Sequence, residues 1–273
     1  MSFTQFKTLI LLFPLIFSLD YYAQTGSTWP DVCQTGTIQS PINIITSNVE
    51  KDNSKFSFKS IDYTKIQSTS ITYQHEYSIS TGELDNGLIT VVINGTEFKY
   101  KIVNIHFHLN SEHTIDGKLY NMEMHVVHYN NNANDKNNLH MVIGYLFESG
   151  DNYEDNSFLN SIGFNTGNTV TNVNVQDIVK KEDVYYYKGS LTTPPCTEDV
   201  NWVVVKDIKK MSKSQFDKFK EYVIKLNANY KDGNNRNPLA LNDRIVYLSE
   251  NEDGSNNYIK FSYSFLLLFF ILF

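Results

Sequence analysis

Through the middle of the chain, apolar and β-branched residues recur in short runs closed off by Gly, Asn and Asp: Ile71 to Ile79, Leu88 to Ile93, Phe98 to Phe107, Met122 to Tyr129, Leu139 to Phe147 and Trp202 to Val205. Runs of that length and composition predict strands. Asn94-Gly95, set between two of them, is the signature of a two-residue hairpin turn. One helix stands out, beginning at Ser212, where Ser212 and Gln215 make a capping-box pattern ahead of Phe216, Phe219, Val223 and Leu226 on one face. Asn130-Asn131-Asn132 and Asn137-Asn138 are polar and uncharged, and predict a long surface loop between strands. No repeat of roughly 20–50 residues is present, which argues against a solenoid or propeller.

Two apolar segments at the ends depart from this pattern. Lys7 precedes the run from Leu9 to Phe17, broken only by Pro14, and polar residues then lead to Ala23. That order is the pattern of a cleaved export signal. At the other end an apolar run reaches Phe273, too short to span a bilayer, which takes about 20 residues. It follows the polar stretch Ser249 to Asn257, and small residues, spacer and apolar tail are what a glycolipid-anchor (GPI) signal requires. The expected organisation is a signal peptide over 1–23, one domain over 24–250, and a spacer with a hydrophobic tail over 251–273. Such a protein is extracellular, secreted or attached to the outer cell surface through the lipid anchor.

Composition narrows the classes further. With 23 Lys+Arg against 30 Asp+Glu the formal charge is −7, and no basic stripe exists to neutralise phosphates, so nucleic acid is excluded as a partner. Hydrophobic residues at 41% against 19% charged supply a folded core, and no Pro/Gly/Ser linker divides it. Cys33 and Cys196 are the only cysteines, and a lone pair in an exported chain is more often a bridge than two thiols. Oligomeric state is not legible. Asn94-Gly95-Thr96 doubles as an N-glycosylation triplet, making Asn94 a candidate for modification.

The histidines carry the chemistry. All seven, at 75, 106, 108, 113, 125, 128 and 140, fall between positions 75 and 140. His106-Phe107-His108 falls in a strand-like run, whose period of two places both imidazoles on one face. Met122 to His128 reads as a second strand, able to return antiparallel beside the first. His125 then completes a three-histidine face, with Glu123 and Val127 on its side. Three neutral imidazoles with a fourth position left open are the donor set of a catalytic zinc centre. His106-x-His108-x-x-x-Glu112 also fits the first cupin motif, which would bind iron or manganese with Glu112 as a ligand. That motif has glycine six residues before its first histidine, where this chain has Tyr100. His113, His128 and His140 are read as structural or surface histidines.

The motifs Gln39 to Ile44 (QSPINI), His106 to His108, Ser111 to Thr114 (SEHT), Glu123 to His128 (EMHVVH) and Gly189 to Pro195 (GSLTTPP), with Arg236 to Pro238 and Leu241 to Arg244, resemble the α-class carbonic anhydrases over about residues 29–248. The resemblance implies a mainly β, single-domain fold built on a large, twisted, mostly antiparallel sheet with short peripheral helices. It implies Zn2+ on His106, His108 and His125, and reversible hydration of carbon dioxide to bicarbonate and a proton by a zinc-activated hydroxide. Thr192 would accept a hydrogen bond from that hydroxide and donate its own proton to Glu112, while its backbone N–H holds a substrate oxygen. Glu123 would orient His125. Val127, Val142, Leu191, Thr193, Val200 and Trp202 match the remaining substrate positions, and Cys33 and Cys196 fall where extracellular members carry a disulfide.

Departures from the family pattern matter too. The usual glutamine two residues before the first zinc histidine is Asn104, one methylene shorter, so a weak or water-bridged hydrogen bond to His106 is expected. His75, in Tyr73 to Tyr77, is the expected proton shuttle, although the usual Asn-Gly before it is missing. The alternative to an enzyme is a catalytically weak cell-surface binding module on the same scaffold, as in relatives that have lost zinc ligands. Here all three histidines, Glu112 and Thr192 are retained.

Overall fold

A computed structural model of the protein describes residues 29–63, 77–79, 87–130, 136–161 and 179–251. The expected export signal, the C-terminal tail, His75, the start of the run from Ile71, and Asn131-Asn132 lie outside the described residues. In chain order the elements begin with helix α1 (Asp31–Thr35) and strands β1 (Asn43–Ile44), β2 (Glu50–Lys51), β3 (Phe56–Asp62) and β4 (Tyr77–Ile79). Next come β5 (Leu88–Ile93), β6 (Thr96–Leu109), β7 (Thr114–Ile115), β8 (Met122–Tyr129), β9 (His140–Gly150) and α2 (Ser157–Ser161). The last are β10 (Val184–Gly189), β11 (Val200–Val205), β12 (Lys209–Ser212), α3 (Lys213–Leu226) and β13 (Tyr247–Ser249).

Eleven of these strands form one sheet, whose main order is β2-β13-β10-β11-β9-β8-β6-β5-β3. The central neighbours β5/β6, β6/β8, β8/β9 and β10/β11 are antiparallel, whereas β9/β11, β9/β12 and β2/β13 are parallel. The sheet is thus mixed but mostly antiparallel, as the resemblance implies. The β5–β6 hairpin closes through Asn94 and Gly95 at φ 48° and 78°. Two successive positive φ values define the turn that matches strand twist, which is why Asn-Gly occupies it.

Side chains from the two faces of the sheet pack into separate cores. The larger holds Tyr100, Ile102, Ile105, Phe107, Met124, Val126, Ile143 and Tyr145 under α3, whose Phe219 and Val223 are buried there. The smaller, on the opposite face, gathers Val142, Leu146, Tyr185, Tyr187, Val200, Trp202 and Val204. Between Ile102 and Asn104 the register of β6 against β8 shifts by one residue, leaving Val103 as a bulge.

The N-terminus of α3 corrects part of the sequence reading. Ser212 Oγ accepts the Gln215 N–H at 3.0 Å, as expected. The reciprocal half of the capping box is absent, because the Gln215 side chain is buried and turned to the start of α2. It accepts from Asn156 N at 2.9 Å and donates to Asn160 Oδ1 at 3.0 Å. Satisfying those buried groups of a neighbouring segment outweighs a contact available from solvent. No helix among the described residues is long and apolar enough to cross a membrane.

Candidate metal centre

The pairing of β6 with β8 sets the site. His106 lies directly opposite His125, and His108 opposite Glu123. With a period of two along each strand, His106, His108, Glu123, His125 and Val127 share one face. The three imidazoles converge, with ring centroids 5.1 Å apart for His106/His108, 5.0 Å for His106/His125 and 4.7 Å for His108/His125. One nitrogen from each lies within 4.8 Å of the others.

Each ring also has a nitrogen turned outward to an oxygen acceptor. His106 Nδ1 is 2.7 Å from Asn104 Oδ1, and His125 Nε2 is 2.8 Å from Glu123 Oε1. His108 Nδ1 lies 3.5 Å from the Asn234 carbonyl and 3.6 Å from Glu112 Oε1. A neutral imidazole has one N–H, and an oxygen acceptor on one nitrogen assigns the lone pair to the other. Three lone pairs therefore face one point, with His106 Nε2 and His125 Nδ1 only 3.2 Å apart and His108 Nε2 buried without a hydrogen-bond partner among the described residues. Facing lone pairs repel unless a cation sits between them. Tetrahedral zinc with bonds of about 2.0–2.1 Å to imidazole sets its nitrogens about 3.3 Å apart, so the donor set fits zinc. Burial, and then the neighbouring histidines, push His106 well below the usual histidine range; burial also lowers His125, so both are neutral and ready to ligate.

Asn104 corrects an expectation. Its hydrogen bond to His106 is direct, at 2.7 Å, between two residues on the same face of the regular strand that follows the bulge. Glu123 is the centre of the supporting shell. Its fully buried carboxylate accepts the backbone N–H groups of Glu112 and His113 at Oε2, both at 2.8 Å, and the rings of His113 and His125 at Oε1. Burial alone would raise its pKa, but the two imidazoles hold it well below the usual carboxylate range. His113 is a buried structural histidine, bonded through Nδ1 to Glu123 and through Nε2 to Tyr187 OH, both at 2.7 Å. His128 is likewise buried, between Tyr63 OH and the Met141 carbonyl.

Glu112 enters the site from the β6–β7 connection. Its Oε1 accepts the Arg236 N–H at 2.8 Å, while Oε2 is buried with no hydrogen-bond partner among the described residues, 4.0 Å from His125 Nε2. No hydrogen bond among the described residues joins it to Thr192, which is buried in the β10–β11 connection. Val127, Val142, Leu191, Val200 and Trp202 fall into the smaller apolar cluster, and the Trp202 ring sits 4.9 Å from that of His125. Thr193 follows Thr192, and its carbonyl accepts the Cys196 N–H at 2.9 Å. Cys196 is disulfide-bonded to Cys33. Among the described residues, the site adds three groups that the motifs did not assign. The Asn234 carbonyl faces His108, Gly144 lies opposite His125, and Arg236 donates from its guanidinium to Gln39 Oε1, Ser40 O and Cys33 O. Arg236 stood in the sequence only as part of the C-terminal motif Arg236 to Pro238, with no role attached; the other two act through backbone, which leaves no side-chain signal.

A three-histidine zinc centre backed by a buried carboxylate, on the face of a large mixed sheet, defines a hydrolytic or lyase type of zinc enzyme. A family model for the eukaryotic-type carbonic anhydrases matches residues 24–250. The chain is 33% identical to a carbonic anhydrase of Dunaliella salina over 88% of its own length and 46% of that protein's. It is 32% identical to alpha carbonic anhydrase 3 of Arabidopsis thaliana, over 82% of this chain and 78% of the relative. Among solved structures, the α-carbonic anhydrase of Thermovibrio ammonificans with sulfanilamide superimposes with a TM-score of 0.63 at 30% identity, covering 79% of this chain and 89% of that one. The halotolerant enzyme of Dunaliella salina gives 0.66 at 27% identity, covering 83% and 96%. The chain belongs to the eukaryotic-type carbonic anhydrase family, with its fold, its zinc and its enzyme class.

Proposed function

We propose that the chain catalyses reversible hydration of carbon dioxide to bicarbonate and a proton, with zinc held by His106 Nε2, His108 Nε2 and His125 Nδ1. The observation that carries this reading is the set of three lone pairs aimed at one point, each fixed by an oxygen acceptor behind its ring. Zinc, when bound, supplies a Lewis acid that makes its water ionise at much lower pH.

The chain's residues do the rest. Asn104 and Glu123 lock ring orientation, and with it the direction of each lone pair. Glu112, held at Oε1 by the Arg236 N–H, keeps Oε2 open for the Thr192 hydroxyl proton. A threonine that donates to Glu112 has only lone pairs left for the reacting oxygen, so it aims that oxygen at the substrate carbon. Its backbone N–H and Thr193 would hold the substrate oxygens. Carbon dioxide has no net dipole, and the wall of Val127, Val142, Leu191, Val200 and Trp202 gives it a dry face free of competing donors. His75 would carry the released proton to solvent.

Location extends the same reading. The Cys33–Cys196 bridge accords with an oxidising, extracellular compartment. We assign residues 1–23 to export, 24–250 to the catalytic domain and 251–273 to anchor attachment; release of the protein from intact cells by phosphatidylinositol-specific phospholipase tests the last. Asn94 is exposed at its hairpin tip, open to glycosylation, and a mass shift on glycosidase treatment would register it.

The deciding experiment is stopped-flow carbon dioxide hydration with bound zinc quantified and a sulfonamide titrated in the same samples. Rapid hydration that falls with zinc removal and with the sulfonamide is expected. Folded, zinc-loaded protein without hydration would overturn the enzyme reading in favour of a binding module.

A further inference from the structure

Six histidines are described, and five are committed. His106, His108 and His125 face the metal position, and both ring nitrogens of His113 and of His128 are hydrogen-bonded in buried surroundings. His140 is different. Its Nδ1 lies 3.1 and 3.0 Å from the two oxygens of Asp199, its side chain is 26% exposed, and among the described residues no partner holds its Nε2.

Its position in the sheet gives this a use. His140 and Val142 are two residues apart on β9 and therefore share a face, the one on which Val142 packs with Val200 and Trp202. The β8–β9 register runs His125 opposite Gly144, Val127 opposite Val142, and Tyr129 opposite His140. The Tyr129 and His140 rings touch at 5.2 Å. The row Tyr129–His140 thus ends the apolar wall four residues from the metal row, about 13 Å at about 3.3 Å per residue. Lys101 is opposite Tyr129 on β6, and Lys188 from β10 is turned to Asn137 O and Asn138 Oδ1. Asp199 is the carboxylate on the ring.

We propose that His140, oriented by Asp199, is a second proton-transfer residue of this site, independent of position 75; the proposal rests on the carbonic anhydrase reading above. The proton released by hydration crosses the cavity through water and adds to the Nε2 lone pair. Nδ1–H already donates to Asp199, so the resulting imidazolium lies against a carboxylate. A buffer base then removes the proton and restores the neutral ring. Nothing is oxidised or reduced, and only the proton changes hands.

The test uses the full-length, zinc-loaded chain in stopped-flow hydration, in dilute and in saturating buffer. His140→Ala should lower kcat in dilute buffer by about tenfold or more, leave kcat/KM unchanged, and recover with added imidazole. Asp199→Asn, which keeps the shape of the pair, should give a smaller loss of the same kind. His75→Ala combined with His140→Ala should be slower than either alone. A merely structural role would lower kcat/KM or stability and would not respond to imidazole. Should His140→Ala fold poorly, Asp199→Asn decides. Wild-type kcat in dilute buffer for both variants would overturn the proposal. An inactive wild-type chain in saturating buffer would instead overturn the carbonic anhydrase reading itself.

Discussion

Gly144 shows how tightly the supporting shell is drawn. It sits opposite His125 on β9, and a Cβ there would come within 2.9 Å of Glu123 Oε1. The carboxylate is held by four donors from two segments, the Glu112-His113 connection and β8, so any shift breaks contacts in both. Gly144→Ala should therefore displace Glu123 and loosen His125, weakening zinc binding by about 10–100-fold in a chelator-competition titration. His128 makes a prediction about pH. Burial lowers its pKa from 6.5 to about 4. The unfolded chain takes up a proton below about 6.5 that the folded chain refuses until about 4, so this group favours unfolding progressively as pH falls through that window. The contribution is absent above it and saturates at about 3 kcal/mol below it. An NMR titration should find the His128 ring still neutral at pH 5; a midpoint near 6.5 would contradict the buried geometry.

Individual elements were unevenly legible. Leu88–Ile93 and Met122–Tyr129 fall on their sequence-derived boundaries, because turn residues close both ends and their composition is strongly β-forming. Val184–Gly189 escaped notice although it pairs with β11 along its whole length. Tyr185 and Tyr187 enter one core and Tyr186 the other, so a strand buried on both faces shows no alternation of apolar with polar. Helix α3 was marked by its cap and apolar stripe, while its Gln215 was spent elsewhere. Since Ser212 Oγ caps alone, Ser212→Ala should cost about 1 kcal/mol, measurable as a lower urea midpoint with an unchanged slope.

At the scale of the molecule, the disulfide joins residues 163 apart in sequence. On the chain-entropy model a loop of that length contributes about 5 kcal/mol, so the Cys33→Ser/Cys196→Ser variant should unfold at much lower denaturant. Metal ligands could be read from sequence because two strands of period two carry them. The group that holds Glu112, and what fixes it in turn, could not. Arg236, Gln39, Ser40 and Cys33 meet only after the chain's two ends have folded together, and spacing along a sequence does not encode that meeting.

The bulge at Val103 has a genetic consequence. Before it, even-numbered Tyr100 and Ile102 point into the larger core; after it, odd-numbered Ile105 and Phe107 do. Val103 itself is 49% exposed and fills neither core. A one-codon deletion there would remove the extra residue and a side chain that packs little, and the strand it leaves alternates strictly, with Ile102, Ile105 and Phe107 still in the core and His106 and His108 still on the metal face. The gene can thus lose the Val103 codon and keep its ligand face, whereas loss of the Phe107 codon, which encodes no ligand either, would set the two imidazoles on opposite faces of the sheet.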